Sequence, residues 1–262
     1  MLPSESDFMA RIVVFDSGMG SLSVIQPLRK YIPSEIIYFA DQINYPYGKK
    51  PKSELKKIIK KTIEGLEKKF SPDFIIIASN TLSLLFNWKN KKIISIKPPL
   101  KEAVKISKSK NIGILATETV IKSKDLSNYI KKQKFSKDIQ FHKINGSSLV
   151  DLVEQGIFLT KPNICKKIIK KELDEIISKN KIDVITLSST HLPFLKPYFI
   201  NEFKDVYFLD PAENLILKLK NRINNDKNKN TFQIFTSSNS KKFEINLKKM
   251  GIKNKITPNF QL

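Results

Sequence analysis

Residues 11–20, RIVVFDSGMG, join a short apolar run to a polar turn that contains two glycines. Unbroken runs of β-branched and aromatic residues are typical of strands buried on both faces of a parallel sheet. The glycines permit a tight turn, and a helix that begins directly after it offers free backbone N–H groups to an anion. This stretch therefore predicts a buried strand, Ile12–Phe15, followed by a ligand-binding loop and a helix.

The alternation of apolar runs and amphipathic stretches continues along the chain. Eight further runs are predicted strands: Ile36–Ala40, Phe74–Ala78, Ile93–Ile96, Ile112–Ala116, Ile139–Ile144, Val184–Leu187, Val206–Leu209 and Thr231–Thr236. Between them apolar residues recur at helical spacing, as at Leu55, Ile59 and Ile63. Such alternation predicts an α/β fold of mostly parallel sheets flanked by helices.

Nine strands are many for one sheet, and two proline-containing segments are plausible crossing points between two sheets. They are Lys97-Pro98-Pro99 and Asp210-Pro211. We therefore predict two similar α/β domains, the first formed by residues 1–97 with 208–262 and the second by residues 98–207.

Charge is the most conspicuous property of the composition. The 262 residues include 47 Lys+Arg and 25 Asp+Glu, which gives a formal net charge of +22. Only Arg11, Arg29 and Arg222 are arginines, whereas recognition of bases and phosphates favours the planar guanidinium. The lysines are spread along the chain, so we expect solvated helix surfaces, a salt-sensitive attraction to polyanions and no specific nucleic-acid partner.

Other classes of protein are excluded by composition. A hydrophobic fraction of 40% argues against a disordered chain. The single cysteine, Cys165, rules out an intramolecular disulfide and a cysteine-based zinc site, and we expect it to pack in a helix. No apolar run approaches the ~20 residues of a membrane helix, and the first ten residues lack the features of a signal peptide. We expect a cytoplasmic protein without a membrane partner, with residues 1–8 as a loose leader.

Ligands of open α/β sheets bind beyond the carboxyl ends of the strands, and here those positions carry small polar residues. They are Asp16 and Ser17, Tyr47 and Gly48, Ser79, Asn80 and Thr81, Thr117 and Thr119, and Ser189, Thr190 and His191. Hydroxyls, an amide and helix N-termini suit a small zwitterionic or carboxylate ligand. Neither a GxxxxGK[ST] nor a GxGxxG nucleotide motif is present.

Five phrases of the sequence, in this order and at strand ends, resemble those of glutamate racemases in the aspartate/glutamate racemase superfamily. The phrases are Phe15-Asp16-Ser17-Gly18-Met19-Gly20, Pro46-Tyr47-Gly48, Ser79-Asn80-Thr81, Thr190-His191 with Pro193, and Asp210-Pro211-Ala212-Glu213. The resemblance extends essentially end to end. It implies two α/β domains with the active site between them. It also implies a cofactor-independent interconversion of L- and D-glutamate that supplies peptidoglycan synthesis.

The family's two catalytic cysteines are replaced in this sequence. In the family one thiolate removes the α-proton and a second thiol delivers a proton to the other face. The matching positions here are Ser79 and Ser189. A thiol is a few per cent ionised at neutral pH, whereas a hydroxyl becomes a base only with a partner that takes its proton. We therefore expect racemisation to be slower by orders of magnitude unless another group takes over.

The resemblance also implies roles for the neighbours of these serines. Asp16 and His191 match residues that assist the two bases, and imidazole is the better candidate for direct proton transfer because it changes charge near neutral pH. The residues implied in substrate binding are Asp16, Ser17, Tyr47, Gly48, Asn80, Thr81, Thr117, Thr119, Thr190 and His191. His142 has no motif around it and is expected to be structural. We expect the protein to form a homodimer.

Three interpretations stay open at this point. The chain is a divergent racemase of glutamate, aspartate or another amino acid, a catalytically silent amino-acid-binding protein, or an engineered double-serine variant. Ser21 and Ser188 stand where the family usually has glycine, and Thr117 and Thr119 are spaced more closely than its usual pattern. Such drift favours natural divergence with a changed substrate choice.

Overall fold

A computed structural model describes residues 9–86, 88–223 and 230–262, so the expected leader at residues 1–8 lies outside the described residues. Ten strands are present in these ranges: β1 Arg11–Asp16, β2 Glu35–Ala40, β3 Phe74–Ile77, β4 Ile93–Ser95, β5 Asn111–Ala116, β6 Gln140–Asn145, β7 Val184–Leu187, β8 Tyr207–Leu209, β9 Thr231–Thr236 and β10 Ile256–Thr257. All nine predicted strands are observed to within one residue at each end. Only β10 was not predicted, because two residues are too few to produce a periodic pattern.

Twelve α-helices lie among the same residues. They are α1 Leu22–Tyr31, α2 Lys52–Phe70, α3 Asn80–Leu85, α4 Leu100–Ile106, α5 Glu118–Lys122, α6 Lys124–Lys132, α7 Ser147–Glu154, α8 Ile157–Thr160, α9 Pro162–Asn180, α10 Lys196–Glu202, α11 Pro211–Lys220 and α12 Lys241–Lys249. None of the helices in the described ranges is both long and apolar enough to cross a membrane.

The strands form two sheets in which every pair is parallel. The first sheet has the order β10-β9-β2-β1-β3-β4, and the second has the order β6-β5-β7-β8. The predicted α/β fold with parallel sheets is therefore confirmed. In the central strand β1, Ile12, Val13, Val14 and Phe15 are fully buried, which explains its unbroken apolar run.

The described residues divide into two compact units. The first contains the chain up to Ser79, residues 88–96 and the chain from Ala212 onward, and the second contains residues 80–86 and Lys97–Pro211. This division differs from the predicted domain boundaries at three places, the smallest of which is Lys97, which lies in the second unit. Helix α3 belongs to the second unit, where Leu84 packs against the core around Leu100 and Ile114. Strand β8 pairs with β7, so the chain returns to the first unit at Ala212 rather than at residue 208.

The three arginines make contacts inside the first unit. Arg11 Nε lies 2.6 Å from a Glu35 carboxylate oxygen, and its guanidinium also donates to the Phe70 carbonyl. The guanidinium groups of Arg29 and Arg222 each lie 4.7 Å from the centre of a phenylalanine ring. The planar guanidinium groups are therefore used to hold secondary-structure elements together.

Candidate functional site

In the first sheet β1 lies between β2 and β3, so the carboxyl ends of three strands are adjacent. The Asp41 N–H donates to the Asp16 carbonyl at 2.8 Å, and the Ala78 N–H donates to the Phe15 carbonyl at 3.0 Å. These bonds place Asp16, Asp41 and Ser79 at the same edge of the sheet. Asp16 is 5% exposed and Ser79 is 7% exposed. The edge therefore carries two buried carboxylates and a buried hydroxyl.

Tyr47 is held at this edge by Asp41. The Tyr47 hydroxyl donates to Asp41 Oδ2 at 2.8 Å, and Asn44 Nδ2 donates to both oxygens of the same carboxylate at 2.9 Å. Burial, followed by the negative charges of Asp41 and Asp16, raises the pKa of Tyr47 well above its ordinary value. Tyr47 is therefore a protonated donor fixed to the strand ends. We call Asp16, Asp41, Tyr47 and Ser79 the first cluster.

The predicted turn after β1 closes on the Asp16 carboxylate. The Ser17 N–H donates to Asp16 Oδ1 at 2.7 Å, and the buried Tyr38 hydroxyl donates to the Gly18 carbonyl at 2.8 Å. Ser21, predicted to replace a family glycine, donates to the same carbonyl at 3.2 Å. Gly48 lies in a short 3-10 helix, Tyr47–Lys49. The Asp16 carboxylate is therefore held in place by a hydrogen bond from the turn that follows it.

The second sheet repeats this arrangement around β5, which lies between β6 and β7. The Ser188 N–H donates to the Leu115 carbonyl at 2.8 Å, so Ser189 stands at the carboxyl edge of the sheet. Ser188 is fully buried, and its hydroxyl lies 2.9 Å from that of Thr186. The larger residue at position 188 is therefore accommodated by an internal hydrogen bond.

His191 is contacted on both of its ring nitrogens. Nδ1 lies 3.4 Å from Ser189 Oγ, and Nε2 lies 2.5 Å from Glu154 Oε1. The side chains of His191 and Glu154 are 12% and 19% exposed. With Nε2–H donated to the carboxylate, the neutral ring presents its Nδ1 lone pair to the Ser189 hydroxyl. We call Glu154, Ser189 and His191 the second cluster, and its geometry is that of a hydroxyl, a base and an orienting carboxylate.

Glu154 is not among the residues predicted from the sequence. It is the last residue of α7, and no motif surrounds it. One signal could have found it: the C-terminal end of a helix carries partial negative charge, so an acidic residue there is unfavourable without a donor or a cation. His191 supplies that donor.

Asn80 has an unusual environment at the start of α3. It is 4% exposed, and neither the oxygen nor the nitrogen of its amide has a hydrogen-bond partner among the described residues. Buried polar atoms in this condition are uncommon and costly. An amide offers one acceptor and two donor hydrogens, which match the ammonium and carboxylate groups of an amino acid.

The remaining predicted residues are spread over the second unit. Thr190 is buried beside His191, and Thr81 is half-buried in α3. Thr117 is the N-cap residue of α5 without a side-chain capping bond, and Thr119 is exposed in that helix. Ser189, Thr190 and His191 are consecutive residues after β7, whereas Thr119 lies on the exposed side of α5, and the roles of all four in the site stay predictions.

His142 and Cys165, which were not predicted to belong to the site, make contacts within the fold. His142 lies in β6, and its Nε2 is 2.9 Å from the Asn111 side-chain oxygen. Cys165 is fully buried in α9, and burial raises the pKa of its thiol. Within the ranges that the structure covers, no three His, Cys, Asp or Glu side chains come together as metal ligands would.

The chain is similar to known proteins both in sequence and in fold. No protein-family model matches the chain. A glutamate racemase from Aquifex pyrophilus is 34% identical over 86% of this chain and 88% of its own length. A glutamate racemase from Clostridium novyi (strain NT) is 32% identical over 91% and 96%. The crystal structure of glutamate racemase from Francisella tularensis subsp. tularensis SCHU S4 in complex with D-glutamate has a TM-score of 0.77 at 23% identity, covering 96% of this chain and 97% of that one.

Identity above 30% across most of both chains is what common descent produces, and the order of strand-end motifs and the fold agree with it. The chain belongs to the glutamate racemase family of amino-acid isomerases.

Proposed function

We propose that the chain interconverts L- and D-glutamate without a cofactor, and that His191 moves the proton at one face of Cα. The observation that carries this proposal is the contact of His191 with Glu154 on one ring nitrogen and with Ser189 on the other. A base must be held in a fixed orientation toward the proton that it moves, and the Glu154 carboxylate fixes the orientation of the His191 ring.

Ser189 has a secondary part in this mechanism. Its hydroxyl does not ionise near neutral pH, so it replaces a thiolate only by passing its proton to the neighbouring ring. Nδ1 lies 3.4 Å from Oγ, and this contact has to shorten when substrate binds for the transfer to occur. His191 therefore acts either on the substrate directly or through this hydroxyl, and both routes need the imidazole.

The other proton is assigned to the first cluster. Asp16 is a buried carboxylate whose Oδ1 accepts the Ser17 N–H, and Ser79 lies at the neighbouring strand end. Asp41 is committed to Tyr47 and Asn44, which leaves Asp16 as the acid/base group of this cluster. We propose Asp16 and His191 as the two acid/base groups that racemisation requires.

Substrate binding is supported by the unpaired amide of Asn80. A zwitterionic amino acid offers acceptors to its nitrogen and a donor to its oxygen. The Francisella tularensis protein of the same fold holds D-glutamate, which supports glutamate as the first ligand to test. We propose a cytoplasmic role in supplying D-glutamate for peptidoglycan, and a homodimer as its assembly.

The test is incubation with L-glutamate in D₂O, with loss of the Cα proton followed by NMR and D-glutamate measured by chiral chromatography. We expect slow exchange in the native chain. General acid–base catalysis contributes about 10²- to 10⁴-fold, so we expect a loss of that order in His191→Ala. The matched control is His142→Ala, which removes the chain's other histidine from β6 and should leave exchange unchanged.

Absence of exchange in the native chain, with glutamate binding still measurable by calorimetry, would overturn this proposal in favour of an amino-acid-binding protein. Exchange that survives in His191→Ala would show that another group moves the proton. Exchange of aspartate faster than glutamate would reassign the substrate.

A further inference from the structure

The second cluster has a property that racemisation does not require. Ser189 Oγ, the His191 ring and the Glu154 carboxylate follow one another at 3.4 Å and 2.5 Å. The same order activates the nucleophile of serine hydrolases, in which the ring takes the hydroxyl proton and the carboxylate orients the ring. We propose that Ser189 is an activated nucleophile that accepts the acyl group of small carboxylic esters.

The position of Ser189 in the fold supports this role. The chain leaves β7 at Leu187 and enters the 3-10 helix Leu192–Leu195, so Ser189 lies in a strand-to-helix turn. Such a turn at the carboxyl edge of a sheet is also where α/β-hydrolases hold their nucleophile. The 3.4 Å contact is longer than a working hydrogen bond, and contacts of this kind shorten when substrate binds.

The base is held from a separate element. Glu154 ends α7, which follows β6, whereas His191 follows β7. Two different strand–helix connections therefore fix the ring and the hydroxyl. Ser188, the residue before the nucleophile, is anchored through its N–H to Leu115 and through its hydroxyl to Thr186.

The reaction balances with these groups and water alone. Ser189 Oγ attacks the ester carbonyl, and its proton passes to His191 Nδ1. The carbon–oxygen bond to the alcohol breaks, and the alcohol leaves with that proton. Water then attacks the acyl-serine, its proton passes to Nδ1, and the carboxylic acid leaves as the Ser189 hydroxyl is restored. Glu154 is a positioning residue, because it touches the ring and not the ester.

Ser79 provides an internal comparison. It is also a buried serine directly after a parallel strand. The chain has two histidines, His142 and His191, and both lie in the second unit, so the first unit supplies none to Ser79. Ser189 is therefore the serine that has a histidine of its own unit beside it, and activation is expected there.

The experiment uses a fluorophosphonate, because phosphonyl fluorides react with activated serines and leave the many surface lysines untouched. Ser189 Oγ bonds to phosphorus, fluoride leaves, and the proton passes to His191. We expect one label per chain, which peptide mass spectrometry places on Ser189. The label should be absent from Ser189→Ala and from the urea-unfolded chain, and unchanged in His142→Ala. Hydrolysis of p-nitrophenyl acetate should disappear in the same Ser189→Ala protein.

Further variants separate activation from folding. His191→Ala should slow labelling by about 10²-fold or more, and added imidazole should restore part of the rate. Glu154→Ala should slow labelling, and Glu154→Gln should restore part of the rate, because the amide oxygen still accepts the Nε2–H of His191 and orients the ring. Circular dichroism confirms that each variant is folded.

A native chain that labels no faster than the unfolded chain would overturn the proposal, as would label that persists in Ser189→Ala or maps to Ser79. Each of these results is independent of glutamate exchange in D₂O. The acyl-transfer proposal and the racemase proposal can therefore fail separately.

Discussion

The first and second clusters occupy equivalent positions at the carboxyl edges of two parallel sheets, but they differ in chemistry. The first combines two carboxylates with a tyrosine, and Asp41 uses its oxygens to hold Tyr47 and Asn44. The second contains an imidazole between a hydroxyl and a carboxylate. Replacement of a thiol by a hydroxyl therefore leaves an imidazole beside the serine in the second cluster, whereas the first cluster offers carboxylates. Loss of the thiol therefore has different chemical consequences at Ser79 and at Ser189.

Restoring the thiols should give the largest effect on this comparison. We expect Ser79→Cys with Ser189→Cys to raise the rate of racemisation by roughly 10²- to 10⁴-fold, because a thiol ionises far more readily than a hydroxyl near neutral pH. The single variants should differ: Ser79→Cys adds a thiol to a cluster whose acid/base group is a carboxylate, whereas the second cluster already has an imidazole, so Ser79→Cys should recover more than Ser189→Cys. Chiral chromatography of D-glutamate measures all three. Equal increases in the racemisation rate of the two single variants would contradict the proposed difference between the first and second clusters.

Removing the Tyr47 hydroxyl tests the first cluster alone. Tyr47→Phe deprives the buried Asp41 carboxylate of a donor, and we expect a loss of about 1–3 kcal/mol in the free energy of unfolding of the first unit. Hydrogen–deuterium exchange of β1 and β2 measures it. Tyr31→Phe, which keeps an exposed ring in α1, should leave the same amides unchanged. A loss of protection in β5 and β7 instead would contradict the assignment.

The raised pKa of Tyr47 also makes the stability of the first unit depend on pH in alkaline solution. Its raised pKa means that the unfolded chain ionises first, so the stabilisation is complete below about pH 10 and declines as the pH rises toward the folded value. The decline should be missing from Tyr47→Phe. Urea unfolding of the two proteins across pH 8–11 checks the difference.

Low pH should destabilise β7, the strand that precedes Ser189 and His191. Asp183, directly before β7, accepts bonds from the Ser107 hydroxyl, the Ser109 hydroxyl and N–H, and the Lys108 N–H. Burial opposes its ionisation, but these bonds outweigh burial and hold the pKa of Asp183 below its ordinary value. Its stabilisation is therefore complete above about pH 4 and is lost as the pH falls through the lower folded value. Asp183→Asn should expose β7 amides to exchange at neutral pH and flatten their dependence on acid. An unchanged acid profile in that variant would show that another carboxylate governs β7.

The smallest expected effect concerns Arg222. Its guanidinium stacks on Phe74 and donates to the Lys91 carbonyl at 2.8 Å. Arg222→Lys keeps the charge and loses the planar contact, so we expect a loss of about 0.5–1 kcal/mol in the first unit and none in the second. Denaturant unfolding measures the loss, with Lys218→Ala on the exposed face of α11 as the control. Equal effects of the two variants would mean that the planar contact of Arg222 with Phe74 contributes no specific stabilisation.

The parallel sheets were predictable because burial on both faces leaves an unbroken apolar run, as in β1 and β7. The strand ends then indicated the polar edge, which is how Ser79 and Ser189 were found. The domain boundary at α3 was not predictable, since it depends on where Leu84 packs rather than on any local pattern. Glu154 was missed for a similar reason: its partner is 37 residues away in the chain, and only the folded sheet brings β6 and β7 connections together.

The burial of Cys165 has a practical consequence for these experiments. The chain's one thiol is shielded inside α9, with its pKa raised, so it should react slowly with maleimides and disulfide reagents. A cysteine introduced at position 79 or 189 would then be the fastest-reacting thiol in the molecule. Its alkylation rate would report the local acidity of each cluster directly, one position at a time, without a spectroscopic tag.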